Sequence, residues 1–262
     1  MLGLVAGRGL LPLAVVEAAA EDVKVAALSG FDPTGVTPDL SFRLETLGSL
    51  PRRLKELGVT KVCFAGGIDR PAVDPSAIDA ETLPLVPRIM AALQAGDDAA
   101  LRELMTIFEE AGLPVVAATE IARDLLPQPG VLTKTGPSEG DEADARRGAE
   151  VVVAMGAADI GQSCAILKGQ VLATEGVFGT DWMLASLAAR PDASGGILYK
   201  APKPDQDRRA DLPVIGPDTV AAVRAAGLGG IVLEAGGVMI LDRETTLRLA
   251  DEADVFVWVR TS

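Results

Sequence analysis

Residues Leu2–Ala20 read LGLVAGRGLLPLAVVEAAA: a short apolar run, a turn at Gly7, Arg8 and Gly9, then a helical segment from Pro12 to Ala20. Proline is tolerated in the opening turn of a helix because its missing N–H has no intrahelical partner there and its φ is already helical. The stretch therefore predicts a strand over Leu2–Ala6 that turns directly into a helix.

The same alternation continues outward. Val23–Ser29 and Lys61–Gly66 read as strands, Leu47–Leu57 and Val86–Gln94 as helices, and Asp97–Ala111 as a helix with Asp97 as its N-cap. Val115–Ala118 reads as a closing strand. Strands alternating with amphipathic helices favour a parallel sheet covered by helices.

At Leu126–Gly140 the text changes to LPQPGVLTKTGPSEG, rich in proline and glycine, which places a domain boundary near residue 130. We expect an N-terminal domain over residues 1–130 and a second α/β domain over 134–262. In the second, Glu139–Met155 predicts a helix, and Ser163–Leu167 with Gln170–Thr174 a hairpin turning at Lys168 and Gly169. Thr180–Ala189 and Thr219–Ala226 predict helices, Gly196–Tyr199 a strand, and Gly230–Glu234 and Val238–Leu241 strands or a turn around Gly236 and Gly237. Arg243–Asp251 reads as a helix capped by Asp242, and Val255–Val259 as the last strand.

Composition narrows the chemistry. The 262 residues contain no histidine. Histidine-dependent nucleophile systems, histidine-ligated zinc and histidine general bases are therefore excluded. Carboxylates, Lys/Arg, hydroxyls and backbone amides remain, with magnesium as the metal that suits oxygen ligands and phosphates. Cys63 and Cys164 have no pairing or metal spacing and read as buried small hydrophobes. A net charge of −13 without a long basic block argues against nucleic acid. The longest stretch free of Asp, Glu, Lys and Arg is nine residues, whereas a spanning helix needs about 20 apolar ones. With strand-like sequence beginning at Leu2 and no secretory pattern, a cytoplasmic location is expected.

Candidate sites follow from local chemistry. Gly7 and Gly9 lie between strand and helix, where backbone amides can receive phosphate, although Pro12 occupies the third glycine position of GxGxxG; a tight turn is the competing reading. Gly66, Gly67, Asp69 and Arg70 end another strand, either as an anion and sugar site or as a glycine turn with a surface ion pair. Asp97 and Asp98 suit the start of a helix. Thr180 reads as an N-cap, or, with Asp181 and the upstream Glu175, as part of a phosphate and metal site. The segment Lys200–Gly216, KAPKPDQDRRADLPVIG, combines prolines with Lys200, Lys203, Arg208 and Arg209 and the acids Asp205, Asp207 and Asp211. That mixture reads as a solvated loop or as an anion site.

These segments coincide in order with a family pattern: AGRGLLP at residues 6–12, FAGGIDRP at 64–71, GDDAALR at 96–102, DIGQ at 159–162, GTDWML at 179–184, and the Lys200–Gly216 segment itself. Together they resemble the LpxI family of UDP-2,3-diacylglucosamine pyrophosphatases over almost the whole chain. The resemblance implies a Rossmann-like N-terminal domain and a distinct C-terminal domain with the acylated nucleotide sugar held between them. It also implies magnesium-dependent hydrolysis to UMP and 2,3-diacylglucosamine 1-phosphate in lipid A synthesis.

In that reading Asp211 matches the essential acid of the DLP motif; our own expectation is that it holds magnesium or orients the attacking water, with Asp181 and Glu175 near the metal. Gly7, Gly9, Gly66, Thr180, Asp181, Lys200, Lys203, Gln206 and Arg209 match motif positions, and we infer substrate contacts for all of them except Asp181. Phe178 stands where the family often has an acid before GTD, and Arg8 where a small residue is common. Phe178, Trp182 and Met183 are candidate lining residues for the acyl chains, with ordinary core packing as the competing and favoured reading for most of them, and the lipid substrate implies peripheral contact with the inner membrane. A homodimer is expected from the resemblance. A nucleotide-sugar-binding regulator without hydrolase activity is the rival reading, and a Rossmann oxidoreductase a third.

Overall fold

The computed structural model describes residues 1–68, 73–191, 194–203, 207–209 and 212–261. Two compact units form: Met1–Arg123 with Asp207–Asp211, and Asp124–Gln206 with Leu212–Ser262. Among the described residues no helix is long and apolar enough to cross a membrane.

In the first unit β1 (Leu2–Ala6) is followed by α1 (Leu11–Ala18), β2 (Val23–Leu28), β3 (Leu40–Phe42), α2 (Leu50–Glu56), β4 (Lys61–Ala65), α3 (Val86–Ala95), α4 (Asp97–Glu110) and α5 (Ala118–Ile121). The four strands pair in parallel in the order β3-β2-β1-β4. Every residue of β1 is buried, as expected of a central strand with both faces covered. The two-residue period of a strand sorts its side chains. Leu2, Leu4 and Ala6 pack with Val15 of α1 and Ala118 of α5, whereas Val5 packs with Leu54 of α2 and Phe108 of α4. Phe64 and Phe108 meet edge to face at 5.2 Å between ring centres.

Two expectations change here. Val115–Ala118 is not a strand: Val115 makes a single parallel bridge to Val62, and the chain coils into α5 at Ala118. The N-cap of α4 is Gly96, with Asp97 already in the helix. Strand β3 is only three residues long, too short to show a period.

The second unit runs β5 (Gly130–Val131), α6 (Glu139–Ala157), β6 (Ser163–Leu167), β7 (Gln170–Thr174), α7 (Gly179–Leu187), β8 (Ile197–Lys200), β9 (Val214–Ile215), α8 (Pro217–Ala225), β10 (Gly230–Glu234), β11 (Met239–Ile240), α9 (Arg243–Glu252) and β12 (Phe256–Arg260). Six strands form a mixed sheet in the order β5-β12-β10-β8-β6-β7, and β9 pairs with β11 separately. Strands β8, β10 and β12 are parallel to one another, while β6 runs antiparallel to both β7 and β8. One face packs Ala165, Leu198, Ile231 and Val257 against Met183, Leu184, Val220 and Val223 of α7 and α8. The other packs Ile166, Ile197, Tyr199 and Val232 against Ala145, Val152 and Met155 of α6.

Helix α6 starts as its sequence dictates: Ser138 accepts from the Asp141 amide at 3.3 Å and Asp141 Oδ2 accepts from the Ser138 amide at 2.9 Å, a reciprocal cap. Asp242 likewise accepts from the Thr245 amide at the start of α9. Thr180 does not cap α7. The cap position is Phe178, and Thr180 lies inside the first turn, buried. Met183 is 1% exposed and belongs to the core, in line with the core-packing reading of this segment.

Candidate functional site

The antiparallel placement of β6 between β7 and β8 brings the start of β6 beside the ends of its neighbours. Ser163 is the register partner of Lys200 across the β6–β8 pair. On the other side Cys164 pairs with Thr174, so Ser163 falls opposite Glu175, whose amide donates to the Ser163 carbonyl at 2.9 Å. This alignment depends on a register shift between Ala165 and Ile166 within the hairpin. Such a bulge moves all later partners by one residue.

The first turn of α7 then supplies Thr180. Lys200 Nζ donates to Thr180 Oγ1 at 3.0 Å, Thr180 Oγ1 donates to Glu175 Oε2 at 3.1 Å, and Ser163 Oγ donates to the same oxygen at 2.7 Å. The Gln162 amide completes the shell of Oε2 at 3.4 Å. Ser163, Thr180 and Lys200 are buried and Glu175 half-buried. A cation and a carboxylate are thereby linked through a hydroxyl, with hydrogen bonds that limit the cost of burying charge. Gly161 of the DIGQ segment permits the approach, since a Cβ there would lie 2.6 Å from the Glu175 carbonyl oxygen.

Of the residues predicted from sequence, Glu175, Thr180 and Lys200 are therefore brought together. Ser163 was missed, and its signal was the register of the hairpin. Asp181 follows Thr180 on the exposed side of α7. Lys203 pairs with Asp159 at 2.5 Å, which joins the DIGQ segment to the proline-rich one.

At the same end of α7, Val177, Phe178 and Trp182 are exposed by 87%, 70% and 60%. The Phe178 and Trp182 rings lie 5.3 Å apart.

In the first unit Gly7 and Gly66 occupy the ends of adjacent strands and approach closely. A Cβ on Gly7 would meet the Gly67 carbonyl oxygen at 2.5 Å, and one on Gly66 the Arg8 carbonyl oxygen at 2.7 Å. The Gly7 amide donates to Ala65 and the Arg8 amide to Gly67. The Gly7 and Arg8 amides are thus engaged within the turn. Gly9 is exposed, with open space around its Cα. The Arg8 side chain stacks over Phe31 at 4.5 Å and donates to the Gly30 carbonyl at 3.0 Å.

Arg209, also of this unit, contacts Asp207 at 2.8 Å and Glu109 at 2.6 Å. The Arg209 guanidinium holds the Asp207 carboxyl below its ordinary range. Asp98 pairs with Arg102 one turn on, at 2.7 Å, as an acid in the first turn of a helix can. Asp211, Gln206, Asp205, Asp69 and Arg70 lie outside the described residues.

No group of three or more carboxylate or thiol side chains converges among the described residues. Magnesium does not require one, because it is commonly held by one or two carboxylates together with substrate phosphates and water. Glu175 offers one carboxylate, held by Ser163, Thr180 and the Gln162 amide, and Asp181 offers an exposed one in the first turn of α7.

The architecture is that of a two-unit α/β protein whose second unit gathers a lysine, a carboxylate and two hydroxyls at one end of a mixed sheet. Residues 1–125 match the LpxI N-terminal domain and residues 128–258 the LpxI C-terminal domain. The chain belongs to the LpxI family. It is 37% identical over 268 aligned residues to the UDP-2,3-diacylglucosamine pyrophosphatase LpxI of Caulobacter vibrioides, an alignment spanning 98% of this chain and 96% of that protein.

Proposed function

We propose that this chain is a magnesium-dependent UDP-2,3-diacylglucosamine pyrophosphatase that releases UMP and 2,3-diacylglucosamine 1-phosphate. The observation that carries the reading is similarity to the Caulobacter enzyme along both units, at 37% identity over 98% of the chain. The hydrogen-bonded Lys200, Thr180 and Glu175 give it a chemical footing.

In this reading Asp211 holds the metal or orients the attacking water, with Glu175 and Asp181 as further oxygen donors. Magnesium, when bound, neutralises phosphate charge. Lys200 offers a buried cation beside the Thr180 hydroxyl, and charge fixed in a low-dielectric setting stabilises a developing anion more than the same charge in water. Lys203 and Arg209 supply further positive charge while already held by Asp159, Asp207 and Glu109. Gly9 and Gln206 contact substrate, and Gly7 and Gly66 shape the strand-end turn that leads into Gly9. Family resemblance favours attack at the sugar-side phosphorus.

The diacyl substrate brings the protein to the cytoplasmic surface of the inner membrane as a peripheral protein. The exposed Val177, Phe178 and Trp182 support that contact, since aromatic side chains favour the interface between water and hydrocarbon. A homodimer rests on resemblance alone.

The test is mass-spectrometric product analysis after incubation with UDP-2,3-diacylglucosamine and magnesium. UMP and the monophosphate are expected from the wild type, and almost none from Asp211→Ala with an unchanged circular dichroism spectrum. Tight substrate binding without turnover in the wild type would instead establish the regulatory reading.

A further inference from the structure

Glu175 is held unevenly. Its Oε2 receives the Ser163 hydroxyl, the Thr180 hydroxyl and the Gln162 amide at 2.7, 3.1 and 3.4 Å. Among the described residues no donor reaches Oε1. A carboxylate oxygen with several donors is fixed in direction, and the opposite oxygen of a planar group is then fixed with it.

Hydroxyl hydrogens decide which neighbour does the fixing. Ser163 and Thr180 each have one hydrogen to give, and each hydroxyl has Oε2 as an acceptor. Their mutual separation of 3.2 Å then adds no second donation. Thr180 also accepts from Lys200, so its hydroxyl answers to two charged groups. Ser163 makes the shorter contact to Oε2, is 0% exposed, and is anchored by its backbone through its register pair with Lys200 on one side and its carbonyl to the Glu175 amide on the other. Of the two hydroxyl donors it is the closer to Oε2 and the more deeply buried.

We propose that Ser163 is a positioning residue that locks Glu175 so that its other oxygen, Oε1, is presented to the metal ion. The inference rests on the metal-dependent reading above and assigns the orienting role to a residue that neither touches substrate nor bears charge. Groups that orient a metal-binding carboxylate act through metal affinity, with losses of about 10-fold to 100-fold when removed. A residue that served the fold alone would leave that affinity unchanged in the folded variant.

The test uses Mn2+ as the probe. Binding is followed by the electron paramagnetic resonance signal of free Mn2+, with UMP present, for the wild type, Ser163→Ala, Glu175→Gln and the double variant. Ser163→Ala is expected to keep the wild-type circular dichroism spectrum, bind Mn2+ about 10-fold more weakly and raise the magnesium concentration for half-maximal UMP release. In the Glu175→Gln background the same substitution should add little, because the carboxylate through which it acts is gone. Wild-type Mn2+ affinity in Ser163→Ala, or equal losses in both backgrounds, overturns the positioning role. Ser163→Cys preserves the side-chain packing with a weaker donor and decides the matter by the same titration should Ser163→Ala fail to fold. Absence of UMP release by the wild type overturns the enzymatic reading and this inference with it. UMP release by the wild type alongside unchanged Mn2+ binding in Ser163→Ala overturns the inference alone.

Discussion

The Lys200 ammonium lies 3.0 Å from the Thr180 hydroxyl, joining the end of β8 to the first turn of α7 with 6% and 9% of the two residues exposed. A lysine is seldom buried unless its charge is satisfied. Here the hydroxyl that accepts from it also donates to Glu175, so cation and carboxylate share one small group.

Thr180→Val keeps the shape of that side chain and removes the hydroxyl. Lys200 loses an acceptor and Glu175 a donor, at a cost of about 1–3 kcal/mol for buried polar groups left short of a partner. We expect a lower urea midpoint and a fall in UMP release at saturating substrate. Thr180→Ser should retain most of both.

Gly66 lies at φ +99° with the Arg8 carbonyl 2.7 Å from where a Cβ would stand. Gly66→Ala should destabilise the first unit by about 1–3 kcal/mol, the range for a residue forced into a sparsely populated conformation. Gly67 has open space at the equivalent point. Gly67→Ala should therefore stay within about 0.5 kcal/mol of the wild type in the same thermal or urea unfolding experiment.

Burial pushes the Cys63 and Cys164 thiols up to about 12, and both side chains are fully enclosed. Thiolate is the reactive form. A chromogenic disulfide reagent at pH 8 should release almost no colour from the native protein and two equivalents per chain in guanidinium. Rapid colour from the native state would contradict the burial.

The Arg43 side chain and the Asp74 amide hold the Glu45 carboxyl at about 2, below its ordinary 4.5. A depressed carboxyl favours the fold above its unfolded value, and that contribution fades as pH falls from about 4.5 towards about 2. Acid unfolding of the wild type should include this loss. Glu45→Gln should lower stability at neutral pH and show a shallower decline across the same interval in acid titrations followed by circular dichroism.

Element type was written locally in much of this chain. The apolar run at Leu2–Ala6, the proline at the start of α1, the Ser138 cap and the Lys168-Gly169 turn act over a few residues, and each produced the expected element. Two-residue strands such as β5 and β9 had no period to read, because their pairing partners lie far away in the chain. Thr180 shows a local rule overridden: a hydroxyl that suits an N-cap was drawn into the first turn, where Lys200 and Glu175 offer partners that the helix start does not.

The sequence by itself determined the α/β alternation, the absence of histidine chemistry, and the oxygen and cation groups left for handling phosphate. Tertiary structure decided how Ser163, Glu175, Thr180 and Lys200 meet. A one-residue register shift in the β6–β7 hairpin sets Glu175 opposite Ser163, and antiparallel insertion of β6 beside β8 sets Lys200 on its other side. Strand side chains alternate with a period of two residues, so without that shift Glu175 would not stand opposite Ser163. Register of this kind is a property of the paired strands, and no single strand carries it.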